Sequence, residues 1–105
     1  MKYSPTLIEK DLFKVITLLE DEKEAMNFLR DLLTEPEIKE FANRWRVAQL
    51  LNEKIAYKKI EQQTGMSSTT IARIQKWLIN GMNGYKNMLD RTKIINSNSV
   101  HHLPA

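Results

Sequence analysis

Cysteine is absent from the 105 residues of the chain. Neither a disulfide framework nor thiol chemistry is therefore available, and a reducing cytoplasm is the expected location. The sequence also lacks any run of about 18 apolar residues, and no leader with a basic segment followed by an apolar one is found. These absences argue against membrane insertion and against secretion.

Patterns of catalytic and metal-binding residues are missing as well. The chain has no nucleophile paired with a base, no regular spacing of metal ligands and no glycine-rich phosphate loop. His101 and His102 are adjacent, but a neighbouring pair near a chain end lacks the fixed third ligand that a metal site needs. We therefore expect no enzyme activity, no metal site and no cofactor.

The positive charge is concentrated in one segment. Residues 1–53 carry 8 basic and 11 acidic side chains, residues 54–80 carry 5 and 1, and residues 81–105 carry 3 and 1. Because nucleic-acid affinity comes mostly from neutralising phosphates, this distribution indicates where DNA would lie. Lys58 and Lys59 are natural phosphate contacts, although lysines on an ordinary solvated surface would give the same pattern.

The basic segment has the pattern of a helix-turn-helix. Gly65 can adopt the left-handed conformation that ends a helix, and Ser67 is a preferred N-cap for the helix that follows. Met66 is then free to pack beneath the pair. Inward-facing positions recur at helical spacing: Ile60, Thr64, Ile71, Ile74 and Leu78. The pattern predicts a helix-turn-helix over residues 56–80, although a hairpin in an ordinary helical bundle would share it.

The outer face of the second helix carries small, polar or basic side chains. The helical period places Ser68, Thr69, Ala72, Arg73 and Lys76 there. Short leading residues allow a close approach to a major groove, and Arg or Lys can reach guanine edges or phosphates. Glu61 departs from the helix-turn-helix pattern, in which this position usually has a small residue because the second helix packs on it. The Glu61 carboxylate must therefore lean outward. The predicted DNA-binding residues are Lys58, Lys59, Ser67, Ser68, Thr69, Thr70, Arg73 and Lys76.

Two amphipathic helices are predicted over residues 5–33. Ser4 followed by Pro5 is typical of an N-cap and a first helical position. Asp21 with Glu24 has the spacing of a capping box before a helix from Glu22 to Leu33. The two apolar stripes include Leu7, Ile8, Leu12, Val15 and Ile16, then Ala25, Met26, Leu29 and Leu32. These stripes exceed what one short helical hairpin can bury, so we expect a second subunit to cover these dimerisation helices.

A long core helix is predicted over residues 35–52. Thr34 and Glu37 repeat the capping spacing, and apolar residues occupy several sides of the segment. The breaker cluster from Asn80 to Gly84 ends the helix-turn-helix, and a closing helix over residues 85–92 follows. Residues 1–95 are predicted to form one all-α domain of five to six helices. Residues 96–105, which are polar and lack periodicity, are predicted to form a flexible tail.

Three segments together resemble the tryptophan-repressor superfamily, and most closely its tryptophan-repressor-related YerC/YecD group of bacteria. They are RWRVAQLL in the long helix, QQTGMSSTTIARIQKWL across the turn and NGMNGYKNMLDR after it. The resemblance implies an all-α homodimer, intertwined through its N-terminal helices, with one helix-turn-helix per subunit. Such a dimer would bind double-stranded DNA at a near-palindromic operator, with half-sites about 34 Å apart or a multiple of that distance.

The resemblance also allows single residues of this chain to be compared with the effector pocket of the family's tryptophan-binding member. Thr34 and Arg44 match positions that line the ligand pocket of the family's tryptophan-binding member, and Arg73 matches the arginine that packs against the indole. Ile74 and Trp77 stand where that member has a glycine and a serine. Close-packed cores do not tolerate so much added apolar volume, so these two side chains are expected to fill the pocket. L-tryptophan is therefore not expected to act as a corepressor, and Arg73 would be free for DNA.

The leading hypothesis is a sequence-specific transcriptional regulator, a repressor by resemblance, that reads its operator as a homodimer. One alternative is a helical protein–protein interaction module of the same fold without operator binding. Another is a repressor that depends on tryptophan or a different small molecule. A steep fall of DNA affinity with salt, together with a preference among sequences, would separate a DNA reader from an interaction module.

Overall fold

The computed structural model describes residues 2–99 of the chain. Those residues form six α-helices and no β-strand: α1 (Leu7–Ile16), α2 (Glu22–Leu32), α3 (Glu35–Asn52), α4 (Tyr57–Thr64), α5 (Ser68–Asn80) and α6 (Gly84–Ser99). The predicted all-α class with a helix-turn-helix is confirmed. The described residues pack as two compact units, residues 2–42 and residues 43–99. The single domain over residues 1–95 stays a prediction.

Helix α1 begins later than the sequence predicts. Thr6, rather than Ser4, is its N-cap. The Thr6 hydroxyl accepts the Glu9 N–H at 3.1 Å, and Glu9 Oε1 accepts the Thr6 N–H at 3.1 Å and the Tyr3 hydroxyl at 2.6 Å. This reciprocal capping box satisfies two backbone donors at once, which a cap by Ser4 before Pro5 would not do. The predicted start at Pro5 was wrong for this reason.

Helix α2 begins at Glu22, where the capping pattern places it. Asp21 Oδ1 accepts the Glu24 N–H at 2.8 Å, and Glu24 Oε1 accepts the Glu20 N–H at 3.2 Å. The helix ends at Leu32 because Leu33 is extended, with φ −117° and ψ 154°. No residue of α1 or α2, which both lie within the described range, is buried in the single chain.

Helix α3 spans Glu35–Asn52, which coincides with the predicted core helix. At its start, Glu37 Oε1 accepts the Thr34 N–H and the Thr34 hydroxyl, each at 2.9 Å, while Thr34 Oγ1 accepts the Glu37 N–H at 3.3 Å. The core of the second unit combines the end of α3 with α4 and α5. Its buried members are Val47, Ala48, Leu50, Leu51, Ile60, Ile71 and Ile74.

Helix α6 is longer than the predicted closing helix over residues 85–92. It runs Gly84–Ser99, so residues 96–99 are helical although they were assigned to a flexible tail. Leu89 is buried and anchors the helix. Once a helix has formed, each added residue without Gly or Pro costs little, so polar residues extend it without an apolar stripe. The remaining tail, residues 100–105 with His101 and His102, lies outside the described residues.

None of the described helices combines the length and the apolar character needed to cross a bilayer. Among residues 2–99, no group of three or more side chains with metal-ligating atoms is placed to hold an ion.

Candidate nucleic-acid interface

The turn between α4 and α5 is closed by backbone geometry and by one hydroxyl. Gly65 is left-handed, with φ 71° and ψ 5°, and its N–H donates to the Glu61 carbonyl at 2.8 Å. Thr64 Oγ1 donates to the Ile60 carbonyl at 2.7 Å and accepts the Met66 N–H at 3.2 Å. The sequence placed Thr64 on the inner face, but the pattern of apolar residues carried no signal for this link between helix and turn.

The start of α5 is held by two hydroxyl side chains. Ser67 Oγ accepts the Thr70 N–H at 3.2 Å and donates to Thr70 Oγ1 at 3.1 Å. Ser67 is exposed and Thr70 is half-buried. The predicted cap is therefore formed. Because these two hydroxyls serve the helix start, a contact from either of them to DNA stays a prediction.

Three isoleucines fix how α5 is rotated against α4. Ile60, Ile71 and Ile74 are all completely buried in the core of the second unit. Since α5 is regular, the side opposite Ile71 and Ile74 must face outward. The residues on that side are exposed: Ser68, Thr69, Ala72, Arg73 and Lys76. The structure thus brings these five side chains together on one surface, which we call the outer face of α5.

The beginning of α4 is electropositive. Its N-cap is Ala56, whose methyl side chain cannot accept a hydrogen bond. The first turn contains Lys58 and Lys59, both exposed, and no acidic residue. Lys54, just upstream, is also exposed and adopts φ 63°. Uncapped N–H groups carry the positive end of the helix dipole, so three lysines and the dipole reinforce one another here. Lys54 is not among the predicted DNA-binding residues, although it begins the basic segment of the sequence.

Comparison with known proteins places the chain in a family. The sequence model of the family described as Trp repressor protein matches residues 9–93. These residues run from α1 into α6 and include the whole helix-turn-helix. The chain belongs to the Trp repressor family. Proteins of this family are regulators rather than enzymes.

Two relatives show how far the likeness to the Trp repressor family extends. The chain is 43% identical over 82 residues to the uncharacterized protein YerC of Bacillus subtilis, covering 78% of this chain and 79% of that protein. It is also similar to the crystal structure of a TrpR-like protein from Eubacterium eligens, with a TM-score of 0.79 and 35% identity. That match covers 84% of this chain and 91% of the other. The resemblance inferred from the sequence is confirmed.

The three residues expected from the resemblance to match a tryptophan pocket lie in different surroundings in this structure. Thr34 caps α3 through its hydrogen bonds with Glu37. Arg44 is half-buried near Tyr85. Burial raises the pKa of the Tyr85 hydroxyl, and the positive charge of Arg44 opposes that increase. Arg73 lies on the exposed outer face of α5.

The two residues predicted to fill the pocket differ in burial. Ile74 is completely buried in the core, whereas Trp77 is half-buried and packs against that core. Trp77 also lines an open, apolar groove of about 520 Å³. In the groove wall, the Trp45 and Tyr85 rings are stacked with their centroids 6.4 Å apart and their planes 14° from parallel. The volume at position 74 therefore belongs to the core of this protein, and Trp77 forms part of an aromatic wall.

Proposed function

We propose that the protein is a transcriptional regulator that binds a specific sequence in double-stranded DNA as a homodimer. The observation that carries the proposal is the outer face of α5. A buried isoleucine core and a left-handed glycine turn fix the helix, and short and basic side chains are left exposed on its far side. A major groove admits a helix of this kind.

Each part of the surface has a distinct role. Ser68 and Thr69 are short enough for the start of α5 to approach base edges. Arg73 and Lys76 are longer and would reach guanine edges or phosphates. Lys58 and Lys59, at the electropositive end of α4, would neutralise phosphates and so set most of the affinity without choosing a sequence.

The N-terminal helices support the homodimer. In the single chain Leu7 is 83% exposed, Ile8 is 84% exposed and Met26 is 60% exposed. Apolar side chains clustered on helices without a buried residue favour coverage by another protein surface. A second copy would cover them and would place two recognition helices around a two-fold axis. The operator would then be near-palindromic, with half-sites about 34 Å apart or a multiple of that distance.

Selection from randomised duplex DNA, run at two salt concentrations on protein of measured solution mass, tests the proposal. A two-fold motif whose recovery weakens steeply with salt is the expected result. If salt-sensitive binding occurred without any motif, sequence-specific regulation would be wrong. If no DNA were retained at either salt concentration, the rival function, a helical interaction module of the same fold, would replace it.

Two substitutions separate base contacts from phosphate contacts. Arg73→Ala should weaken binding to the selected sequence by about 1–3 kcal/mol, because one good base contact contributes about that much free energy. Lys58→Ala should instead weaken binding to all duplexes and lower the salt slope by about one. Lys39→Ala removes the same charge from exposed surface outside the basic segment and should leave both quantities unchanged. An equal loss on all sequences from the Arg73 and Lys58 variants would contradict base readout by Arg73.

We further propose that L-tryptophan does not regulate this protein. Ile74 is completely buried in the core, and releasing its volume for an indole would require the core to be repacked. Titration calorimetry of the full chain with L-tryptophan should therefore show no binding at micromolar concentrations. Stoichiometric binding in that range would overturn the proposal and would favour a tryptophan-dependent repressor.

A further inference from the structure

Two asparagine–glycine pairs lie in the segment that joins α5 to α6. Asn80 is the last residue of α5 and precedes Gly81, whereas Asn83 lies between the helices and precedes Gly84, the first residue of α6. Both asparagines are exposed. Asparagine is chemically labile, and a following glycine has no Cβ to shield the peptide nitrogen that attacks its amide. The two pairs are therefore chemically alike, and only the surrounding structure distinguishes them.

The end of α5 restrains the first pair. The Gly81 N–H donates to the Trp77 carbonyl at 2.8 Å, so the nitrogen of this pair is engaged in the last turn of the helix. Attack on the Asn80 amide would close a five-membered ring, which brings Cβ and the following nitrogen to the same side of the Cα–C bond. The helical ψ of about −42° keeps these two atoms apart. Asn80 can therefore react only after the end of α5 has unwound.

The second pair is not restrained at the attacking atom. Asn83 lies outside both helices and has φ 65°. The Gly84 N–H is the first of α6, and the first four N–H groups of a helix have no acceptor within it. The space that a Cβ would occupy at Gly84 is open, whereas at Gly81 it lies 2.3 Å from the Trp77 carbonyl oxygen. The Gly84 nitrogen can therefore reach the Asn83 amide without unwinding α5.

We propose that Asn83 is a site of spontaneous deamidation and that the fold protects Asn80. The Gly84 nitrogen attacks Asn83 Cγ: the N–Cγ bond forms, the Cγ–Nδ2 bond breaks, and Nδ2 leaves as ammonia with the proton of the Gly84 N–H. Water then opens the resulting succinimide at either of its carbonyl groups. The products are aspartate and isoaspartate at position 83, and each carries one more negative charge than asparagine.

The isoaspartate product changes the start of α6. In the unmodified chain the Asn83 carbonyl accepts the Asn87 N–H at 2.9 Å. In isoaspartate the main chain runs through Cβ and Cγ, so the former main-chain carbonyl becomes part of a free carboxylate and an extra carbon separates α5 from α6. The hydrogen bond from the Asn87 N–H is displaced, and the first turn of α6 loses stability. The aspartate product keeps the normal backbone, and its charge suits a helix start.

Peptide mapping of the full chain tests the proposal. The folded protein is incubated at mildly alkaline pH in water enriched in heavy oxygen, which enters the product when the succinimide opens. Trypsin in ordinary water then releases residues 77–86, a peptide that contains both asparagines. Fragment ions assign the label to one of them. We expect label at Asn83 and a rate at Asn80 that is lower by at least about fivefold, the factor that one net hydrogen bond provides.

Three controls assign the difference to the fold. In urea the two pairs should react at similar rates, because both are then unfolded asparagine–glycine sequences. Gly84→Ala places a Cβ beside the attacking nitrogen and should slow the reaction at Asn83 several-fold, whereas Asn80→Ala should leave that rate unchanged. After separation of the products, hydrogen exchange of the Asn87 amide should be faster in the isoaspartate form than in the aspartate form by about fivefold, for the loss of one hydrogen bond.

The outcomes that contradict the proposal are specific. Equal rates at Asn80 and Asn83 in the folded chain, or label at neither of them, would overturn it. A difference that persisted in urea would also overturn it, because the fold would not be its cause. Deamidation at this site does not depend on DNA binding, so none of these results bears on the proposed function.

Discussion

Gly65 and Gly81 flank α5, and a different physical effect constrains each of them. Gly65 has φ 71°, a conformation that costs most side chains about 1–2 kcal/mol. Gly81 has an ordinary φ of −83°, but a Cβ built on it would lie 2.3 Å from the Trp77 carbonyl oxygen. The backbone itself occupies the space at Gly81, so a flexible side chain cannot move aside to relieve the clash. Gly81 is thus required by the close approach of the Trp77 backbone and not by a positive φ.

Replacing Gly81 with alanine should destabilise the protein by about 1–3 kcal/mol, the usual effect of forcing extra volume into a packed site. Gly84→Ala is the matched control, because no described atom outside Gly84, its two chain neighbours and the nearby backbone of its own helix lies within 4 Å of the position that a Cβ would take there. That variant should be neutral or more stable by up to about 1 kcal/mol, since alanine favours a helix start over glycine. Urea unfolding at one fixed protein concentration measures the stability of both variants. Equal midpoints for the two variants would contradict the clash.

The helices differ in how the backbone N–H groups at their starts are satisfied. Helices α1 and α3 both begin with reciprocal Thr–Glu capping boxes, and α2 begins with an Asp cap. Helix α5 has Ser67 as its N-cap, whereas the N-cap of α4 is Ala56, which has no polar side chain. The uncapped start of α4 is also the end that carries lysines, and it is the end proposed to meet phosphates. A phosphate oxygen would accept the N–H groups that a cap otherwise satisfies.

The cap of α3 predicts a dependence of stability on pH. The pKa of Glu37 is lowered by the hydrogen bond from the Thr34 N–H and then by that from the Thr34 hydroxyl. A carboxylate whose pKa is lowered in the folded state stabilises the fold at pH values above its pKa in the unfolded chain, which is ordinarily about 4.5. That contribution is lost as the pH falls through the lower pKa of the folded state. Glu37→Gln should therefore lose less stability on acidification than the unmodified chain does.

Thermal unfolding at several pH values below about 6 measures this difference. Glu53→Gln, which changes an exposed carboxylate outside the cap, is the control and should keep the pH dependence of the unmodified chain. If the Glu37 and Glu53 variants showed the same pH dependence, the Thr34–Glu37 hydrogen bonds would not contribute to stability.

For the whole molecule, the decisive feature is how unevenly apolar surface is buried. The buried core lies in the unit from Asn43 onward, while α1 and α2, both fully described, contain no buried residue. A small chain buries a smaller fraction of its surface than a large one, so association contributes strongly to its stability. The proposed homodimer would convert this exposed surface into an interface.

Light scattering should therefore give about twice the chain mass of 12.3 kDa. The unfolding midpoint should rise with protein concentration, as expected when folding is linked to association. Met26→Glu places a charge on the exposed apolar side of α2 and should shift the protein toward monomer. Lys23→Gln changes the net charge by the same amount on that helix and should remain dimeric. A concentration-independent monomer for the unmodified chain would contradict the homodimer.

Much of the helical pattern followed from the sequence because it depends on neighbours within about four positions. The start of α2, the span of α3, the left-handed turn at Gly65 and the cap at Ser67 are all of this kind. The start of α1 was misplaced because Ser4–Pro5 competed with the Thr6–Glu9 box, and the box satisfies more donors. The end of α6 was missed because its polar residues carry no periodic signal, although they extend a helix at small cost.

The sequence by itself determined the all-α class, the helix-turn-helix and the family, since caps, glycines and apolar spacing act locally along the chain. Only the tertiary structure decided which side chains are enclosed: Ile74 is completely buried in the core, Trp77 is half-buried beside a groove, and Arg73 is exposed on the outer face of α5. Burial depends on contacts between helices that are distant in sequence, and periodicity specifies a face of a helix without specifying what covers it.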